Sequence, residues 1–254
     1  MHNNTLQNDA FGTALMDCFH GKETYYIVER DDGFADPGSL TQYFTEYPDW
    51  GPLEQRMPDF VHGNTLDVGC GAGRHALHLQ SLGFEVVGID KSPLAIEVAK
   101  QRGLRQAYAI SLDELARNSI PYLTLMRPFG SIIMMGHNIG LLHGLNEGRK
   151  ILRAFHRITT PDARIIGTTR DPHDTTDPDH LAYQARNRSE GRMSGQIRFR
   201  IRHRKLASDW MYYLFLSEEE FRELVHGTGW RLETTVKGDC GFGEGSYLAV
   251  LCKE

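Results

Sequence analysis

Residues 64–90 read NTLDVGCGAGRHALHLQSLGFEVVGID: a short apolar strand, a turn with glycine at 69, 71 and 73, an amphipathic helix, and a second apolar strand ending in Asp90. Thr65, Leu66 and Val68 favour extended backbone. The glycines after them permit backbone angles closed to other residues and leave room for a ligand against the main chain. A helix that begins where the glycines end aims its unpaired N–H groups and positive dipole end at whatever lies over the turn. Ala76, Leu77, Leu79 and Leu82 give that helix an apolar face for a sheet. A carboxylate at the end of the second strand, Asp90, can accept hydrogen bonds from two ribose hydroxyls. The unit is a nucleotide cradle.

The glycine register selects among nucleotides. A dinucleotide fingerprint is G-x-G-x-x-G, whereas the spacing here is G-x-G-x-G, with Arg74 where a small residue should meet the helix. Asp67, two residues before the first glycine, suits a cationic ligand better than a pyrophosphate. S-adenosylmethionine, with an ammonium and a sulfonium, is such a ligand. D-x-G-x-G-x-G over 67–73 followed by V-V-G-I-D over 86–90 resembles the first two motifs of class I S-adenosylmethionine-dependent methyltransferases, with weaker similarity across residues 60–254. The resemblance implies that Gly69, Gly71 and Gly73, with Cys70 between them, line the methionine end of the cofactor. It implies further that Asp67 helps hold the amino group and that Asp90, followed by Lys91, takes the ribose. The family commonly reads adenine with an acidic residue just after the third strand. Here the order is Ile110-Ser111-Leu112, with Asp113 beyond, so Ser111 or the Leu112 main chain is expected to take that contact.

The 254 residues, 40% hydrophobic and 24% charged, suffice for a full α/β core. A net charge of −5 argues against nucleic acid as a substrate. Cys18, Cys70, Cys240 and Cys252 show neither C-x-x-C spacing nor disulfide-scaffold density, which points to reduced thiols and a cytoplasmic location. No stretch reads as a secretion signal or a membrane span.

In the N-terminal part, Ala14, Leu15, Met16 and Phe19 suggest a short helix and Tyr25–Val28 a strand. Tyr43, Phe44, Tyr47 and Trp50 follow, broken by Pro48, too aromatic for a plain linker. In class I methyltransferases the segment before the first strand often caps the active site, so Tyr43 and Trp50 are candidate substrate-facing rings; packing anchors are the alternative. After Asp90, Ser92-Pro93 starts a helix as cap and first-turn proline.

Phe129–Met135 reads as a central buried strand ending in Gly136-His137-Asn138-Ile139-Gly140. In an open parallel sheet the ligand crevice lies at the carboxyl ends of the strands. His137 and Asn138 are therefore candidates to deprotonate or orient an acceptor, and the resemblance adds His137 to the cofactor contacts. The alternatives are a backbone contact alone for His137 and a turn cap for Asn138.

Residues 171–180, dense in Asp and His but broken by proline, read as a solvated loop rather than a metal site. Ile197, Phe199 and Ile201 alternate with Arg198, Arg200, Arg202 and Arg204, predicting an inserted hairpin with one arginine face. Such a face can bind an acidic substrate or phosphate, but it is expected instead to be solvated and paired with Glu218, Glu219 and Glu220 or with another subunit. Ser217-Glu218-Glu219-Glu220 caps a helix, and strands at 230–236 and 246–251 form a closing antiparallel pair.

The expected fold is doubly wound α/β with a Rossmann-like, seven-stranded, mostly parallel sheet and a C-terminal antiparallel hairpin. Residues 1–60 form an N-terminal cap segment and residues 61–254 the cofactor-binding domain, with a hairpin insertion at about 171–216. The expected function is S-adenosylmethionine-dependent methylation of a small molecule, without nucleic acid or membrane, in a possible homo-oligomer. The alternatives are a non-catalytic S-adenosylmethionine-binding sensor or interaction module and a nicotinamide-dependent oxidoreductase.

Overall fold

A computed structural model describes residues 8–117, 127–239 and 245–254; Cys240 and most of the glycine-rich loop before the last strand lie outside them. The cradle appears as β3 (Thr65–Val68), α3 (Arg74–Ser81) and β4 (Val86–Asp90), then α4 (Pro93–Gln101), β5 (Ala107–Ala109) and α5 (Leu112–Ala116). β6 (Phe129–Met134), α6 (Leu145–Arg157) and β7 (Thr159–Arg170) continue the alternation. After the insertion, α8 (Glu218–Val225), β11 (Trp230–Lys237) and β12 (Ser246–Lys253) finish the chain. The strands assemble as a seven-stranded sheet in the order β11-β12-β7-β6-β3-β4-β5, parallel except that β12 runs against both its neighbours. β3 and β6 are adjacent while their following helices diverge. The ligand crevice of an open α/β sheet lies at the carboxyl ends of such a pair.

Period-two alternation sends Leu66, Val68, Ile132 and Met134 to one face, against α5, α6 and α8, with Phe155, Phe221 and Trp230 filling the layer. Ile133, Met135, Ile166, Leu248 and Val250 point to the other face, against α3, α4 and the segment containing Trp50, Leu53 and Met57. Burying one such aliphatic side chain contributes about 1.5–3 kcal/mol. No helix among the described residues is long and apolar enough to cross a membrane.

A second sheet stands over this frame. The N-terminal strands β1 (Tyr25–Arg30) and β2 (Ala35–Ser39) join the inserted strands β8 (Gln196–His203), β9 (Leu206–Ala207) and β10 (Met211–Leu214) in the order β10-β8-β1-β2, with β9 on β8. N-terminal segment and insertion are thus one antiparallel layer. The arginine face pairs differently from the sequence expectation. Cross-strand register sets Glu29 opposite Arg200, and Glu29 takes both Arg200 (3.0 Å) and Arg202 (3.3 Å) while Asp17 takes Arg204 (2.9 Å). Glu218 instead pairs with Arg222, and Glu220 closes the capping box of α8. The insertion's helix α7 (Pro178–Ser189) is capped by Asp177, which accepts from the N–H groups of Asp179 and His180.

Candidate functional site

The glycine turn crosses the carboxyl end of β3. Gly69, Gly71 and Gly73 all have positive φ (71°, 53° and 80°), a region that costs other residues about 1 kcal/mol or more. Gly69 and Gly73 are also fixed by space, a Cβ at Gly73 meeting Ala99 Cβ at 3.2 Å. A Cβ at Gly69 would lie 2.6 Å from Asn138 Nδ2, whereas at Gly71 the nearest atom would be Tyr43 Cδ1 at 3.7 Å. Gly71 therefore presents bare backbone to the Tyr43 ring. Cys70 turns its side chain the other way, packing Sγ against Gly88. Burial raises its thiol pKa well above the ordinary value, so only its backbone faces a ligand.

Asp67 is 1% exposed and accepts the backbone N–H of Ala76, in the first turn of α3, where Gly73 offers no side-chain cap. Its Oδ2 is buried without a hydrogen-bond partner. Burial, then the nearby Asp90 carboxylate, lifts its pKa to about 7. An unpartnered buried carboxylate oxygen is costly and is matched by a ligand cation or donor. Asp90 accepts from Gly71 N at 3.0 Å and from Ser92 N at 2.9 Å, and keeps lone pairs for hydroxyl donors. These groups fit a ligand with an ammonium at one end and a diol at the other. Lys91 is exposed and lies 3.5 Å from Met211 Sδ, at the β10 edge of the upper sheet. Ser111 is committed to a capping box with Glu114, its Oγ 2.8 Å from Glu114 Oε2, which leaves the buried Leu112 and its backbone as the remaining member of that pair.

Asn138 Nδ2 donates to Val68 O (3.1 Å) and Gly69 O (2.9 Å), bracing the end of β3 against the loop after β6. The sequence alternative of a simple turn cap misses this contact across chain segments. His137 is buried in a left-handed conformation (φ 65°). Its N–H meets Thr168 Oγ1 at 2.8 Å, its ring Nε2 lies 3.1 Å from Ser246 Oγ, and its carbonyl accepts from Tyr213 OH at 2.6 Å. Desolvation and the Arg170 charge push its pKa to about 4. A neutral ring with so low a pKa is a poor proton acceptor at neutral pH.

The two N-terminal rings part company. Tyr43 lies over Gly71, its hydroxyl 3.2 Å from Tyr26 OH and its ring edge-on to Phe11. Trp50 is 5% exposed, with its indole N–H on Thr45 O and its ring against His75, His78 and the Arg74 guanidinium. Trp50 is thus placed as a packing anchor on α3, away from the surface over Gly71, because the apolar side of α3 needs covering.

Sequence reading missed what holds this cap down. Arg74, the misfit in a dinucleotide register, forms a buried ion pair with Glu54, which also lies 3.2 Å from His75 Nε2. Arg102 Nη1 donates to Ala72 O (2.7 Å) and to Tyr43 O (3.2 Å), joining turn and cap. Tyr213 packs on Gly140, and Phe215 stands edge-on to both Tyr213 and His137, with the Arg170 guanidinium over its ring. Glu54, in a four-residue helix (Pro52–Gln55, α2), is followed directly by Gln55-Arg56, so nothing local marks it as a buried acid. All of these contacts are tertiary. Beside the site a cleft of about 1160 Å³ opens between Asp171, Glu218, Asp239 and Ser246; Ser246 links it to His137.

Residues 65–162 match the sequence model of a methyltransferase domain. The chain is 48% identical over 79 residues to the 2-heptyl-1-hydroxyquinolin-4(1H)-one methyltransferase of Mycobacteroides abscessus, an alignment covering 26% of this chain and 34% of that protein. It is 25% identical over 178 residues to the glycine/sarcosine N-methyltransferase of Halorhodospira halochloris, covering 64% and 60%. The chain therefore spans about a third and three fifths of these curated relatives. Among solved structures, a methyltransferase from Bacteroides fragilis in complex with S-adenosyl-L-homocysteine superposes over 97% of this chain and 95% of its own, with a TM-score of 0.77 and 26% identity.

Proposed function

We propose that this chain, a member of the class I S-adenosylmethionine-dependent methyltransferases, methylates a small-molecule acceptor enclosed between the glycine turn and the upper sheet. The observation that carries the reading is the unpartnered Asp67 oxygen, buried where the turn exposes bare backbone beneath Tyr43. When bound, S-adenosylmethionine supplies an electrophilic methyl on a sulfonium. Asp67 then answers its ammonium, Gly69–Gly73 give backbone contacts, and Asp90 accepts from its ribose. Leu112 closes on the adenine side, through its backbone and buried side chain. A small acceptor is supported by the upper layer of β1, β2, β8 and β10, in which Tyr213 of β10 packs on Gly140 and donates to His137 O in the loop beside the turn.

In this reading the protein works mainly by orientation and exclusion of water. Tyr43, backed by Tyr26 and Phe11, presents an aromatic surface to a sulfonium, a contact worth about 0.5–2 kcal/mol. Asn138 is a positioning residue that acts through the Gly69 carbonyl. His137 orients the loop and Tyr213 rather than removing a proton, since its ring is neutral and weakly basic. Free Cys18, Cys70 and Cys252 support a reducing compartment, the cytoplasm.

The test is calorimetry with S-adenosylhomocysteine and NAD, followed by a metabolite screen scored by S-adenosylhomocysteine release. The expected result is binding of the first ligand alone, with turnover of a small acceptor. Binding of NAD alone would transfer the site to oxidoreductase chemistry. Binding without turnover, in a form whose cap is intact, would favour the sensor reading.

A further inference from the structure

One carboxylate serves the first turns of two helices. Asp9 Oδ1 accepts from Gly12 N at 2.9 Å and so caps α1 (Ala10–Phe19). Asp9 Oδ2 accepts from Ser92 Oγ at 2.7 Å and from Leu94 N at 3.3 Å, at the start of α4. Ser92 caps α4 in turn, its Oγ accepting from Ala95 N at 2.9 Å, and its own N–H donates to Asp90 Oδ1. Asp90 Oδ2 holds Gly71 N. An unbroken chain of hydrogen bonds thus runs from α1 through Asp9, Ser92 and Asp90 to the glycine turn.

The contact is built into the chain. Asp9 and Ser92 are 9% and 5% exposed, so these bonds to a carboxylate are largely shielded from water. A Cβ at Gly12 would lie 2.2 Å from Ser92 Oγ, so glycine is what lets α1 approach this closely. The same helix carries Phe11, whose ring meets Tyr26 and Tyr43 edge-on at 5.9 and 5.3 Å between centroids. Ala14 and Leu15 pack with Ala72, Ala95 and Val98. Moving α1 would therefore disturb at once the wall over Gly71 and the serine that orients Asp90.

Resting on the methyltransferase reading, we propose that Asp9 is a positioning residue that couples the seating of the N-terminal aromatic cap to the occupancy of Asp90. A ligand diol on Asp90 fixes the Asp90–Ser92 turn and, through Ser92 Oγ, holds α1 down. A seated α1 in turn presents Asp90 ready for the diol, because coupling between two sites is reciprocal. A mere staple between α1 and α4 would hold the helix whatever the state of Asp90.

The experiment compares wild type, Asp9→Asn, Ser92→Ala and Ser92→Thr by calorimetry with S-adenosylhomocysteine and by hydrogen exchange of the 10–19 segment with and without that ligand. In wild type the ligand should slow exchange across α1. Asp9→Asn keeps one oxygen for Gly12 N but turns an amide NH2 toward the Leu94 N–H. Affinity should fall about tenfold, within the usual range of coupling between sites, and the ligand-dependent protection of α1 should vanish. Ser92→Ala should behave alike, and Ser92→Thr, which keeps the hydroxyl, should retain both. If Asp9→Asn fails to fold, the Ser92 pair decides on the same two readouts. A variant with loosened α1 and unchanged affinity overturns the coupling and leaves Asp9 a staple. Wild type that binds no S-adenosylhomocysteine defeats the functional reading and this coupling together, whereas unchanged variants beside a binding wild type defeat the coupling alone.

Discussion

Replacing Asp67 by asparagine should abolish a pH dependence that the wild-type site is built to show. With its pKa at about 7, Asp67 is about nine-tenths ionised at pH 8 and about one-tenth at pH 6. A ligand ammonium favours the ionised form, so affinity should weaken about tenfold from pH 8 to pH 6 and level off above pH 8. Binding near pH 6 should release a proton, visible as a dependence of the calorimetric enthalpy on buffer ionisation heat. Asp67→Asn keeps the shape and an acceptor for the Ala76 N–H but carries no charge. Its affinity at pH 8 should fall by about 1.5–3 kcal/mol, roughly ten- to a hundredfold, and vary little with pH. The unliganded protein should respond with the opposite sign. Because the folded pKa is raised above 3.8, the stability that protonated Asp67 contributes is fully present below about pH 4 and is lost as pH rises through 7. A shift of about three units corresponds to an upper limit of about 4 kcal/mol, so Asp67→Asn should melt higher than wild type at pH 8 and close to it at pH 4. Wild-type affinity that stays flat between pH 6 and 8, with no proton released, would refute the assignment of Asp67 to a cationic ligand.

Glu54→Gln should lower thermal stability by about 3 kcal/mol at pH 7, since it removes the charge from a buried ion pair with Arg74; a loss under 1 kcal/mol in denaturant titration would mean that the other contacts of Arg74, to Thr45 and Trp50 among them, suffice to hold it. Gly69→Ala should weaken S-adenosylhomocysteine binding by tenfold or more, because the added methyl meets Asn138 at 2.6 Å and the backbone is left-handed; an unaltered calorimetric affinity would show that the turn relaxes freely. Tyr43→Ala should reduce turnover far more than cofactor affinity, while Tyr43→Phe, which keeps the ring, should retain most activity; equal losses in both would assign the role to the hydroxyl. His137→Ala should lower the turnover rate by roughly tenfold without shifting its pH profile between 6 and 8; loss of a profile limb near neutrality would restore the imidazole as a base.

The sequence by itself determined the frame. Glycine at 69, 71 and 73 between two apolar strands allows one local geometry, and strand–helix alternation through residue 170 dictates a parallel sheet, because parallel neighbours require crossovers. Asp67 and Asp90 were legible for the same reason: their chemistry follows from their place at the ends of β3 and β4. The tertiary structure decided what covers that frame. Tyr43 and Trp50 lie seven positions apart in similar company, yet one faces Gly71 and the other packs on α3. From sequence the arginine face is expected to meet Glu218, Glu219 and Glu220 or another subunit, but β1 pairs with β8 and brings Glu29 onto it from 171 positions away. Asp9 and Ser92 are ordinary helix caps when each is read alone, and only the packing of α1 on α4 makes them share a hydrogen bond. Local periodicity and turn chemistry act over a few residues and leave their mark on the chain; contacts between distant segments depend on how the layers stack, and that is settled only when the whole chain has folded.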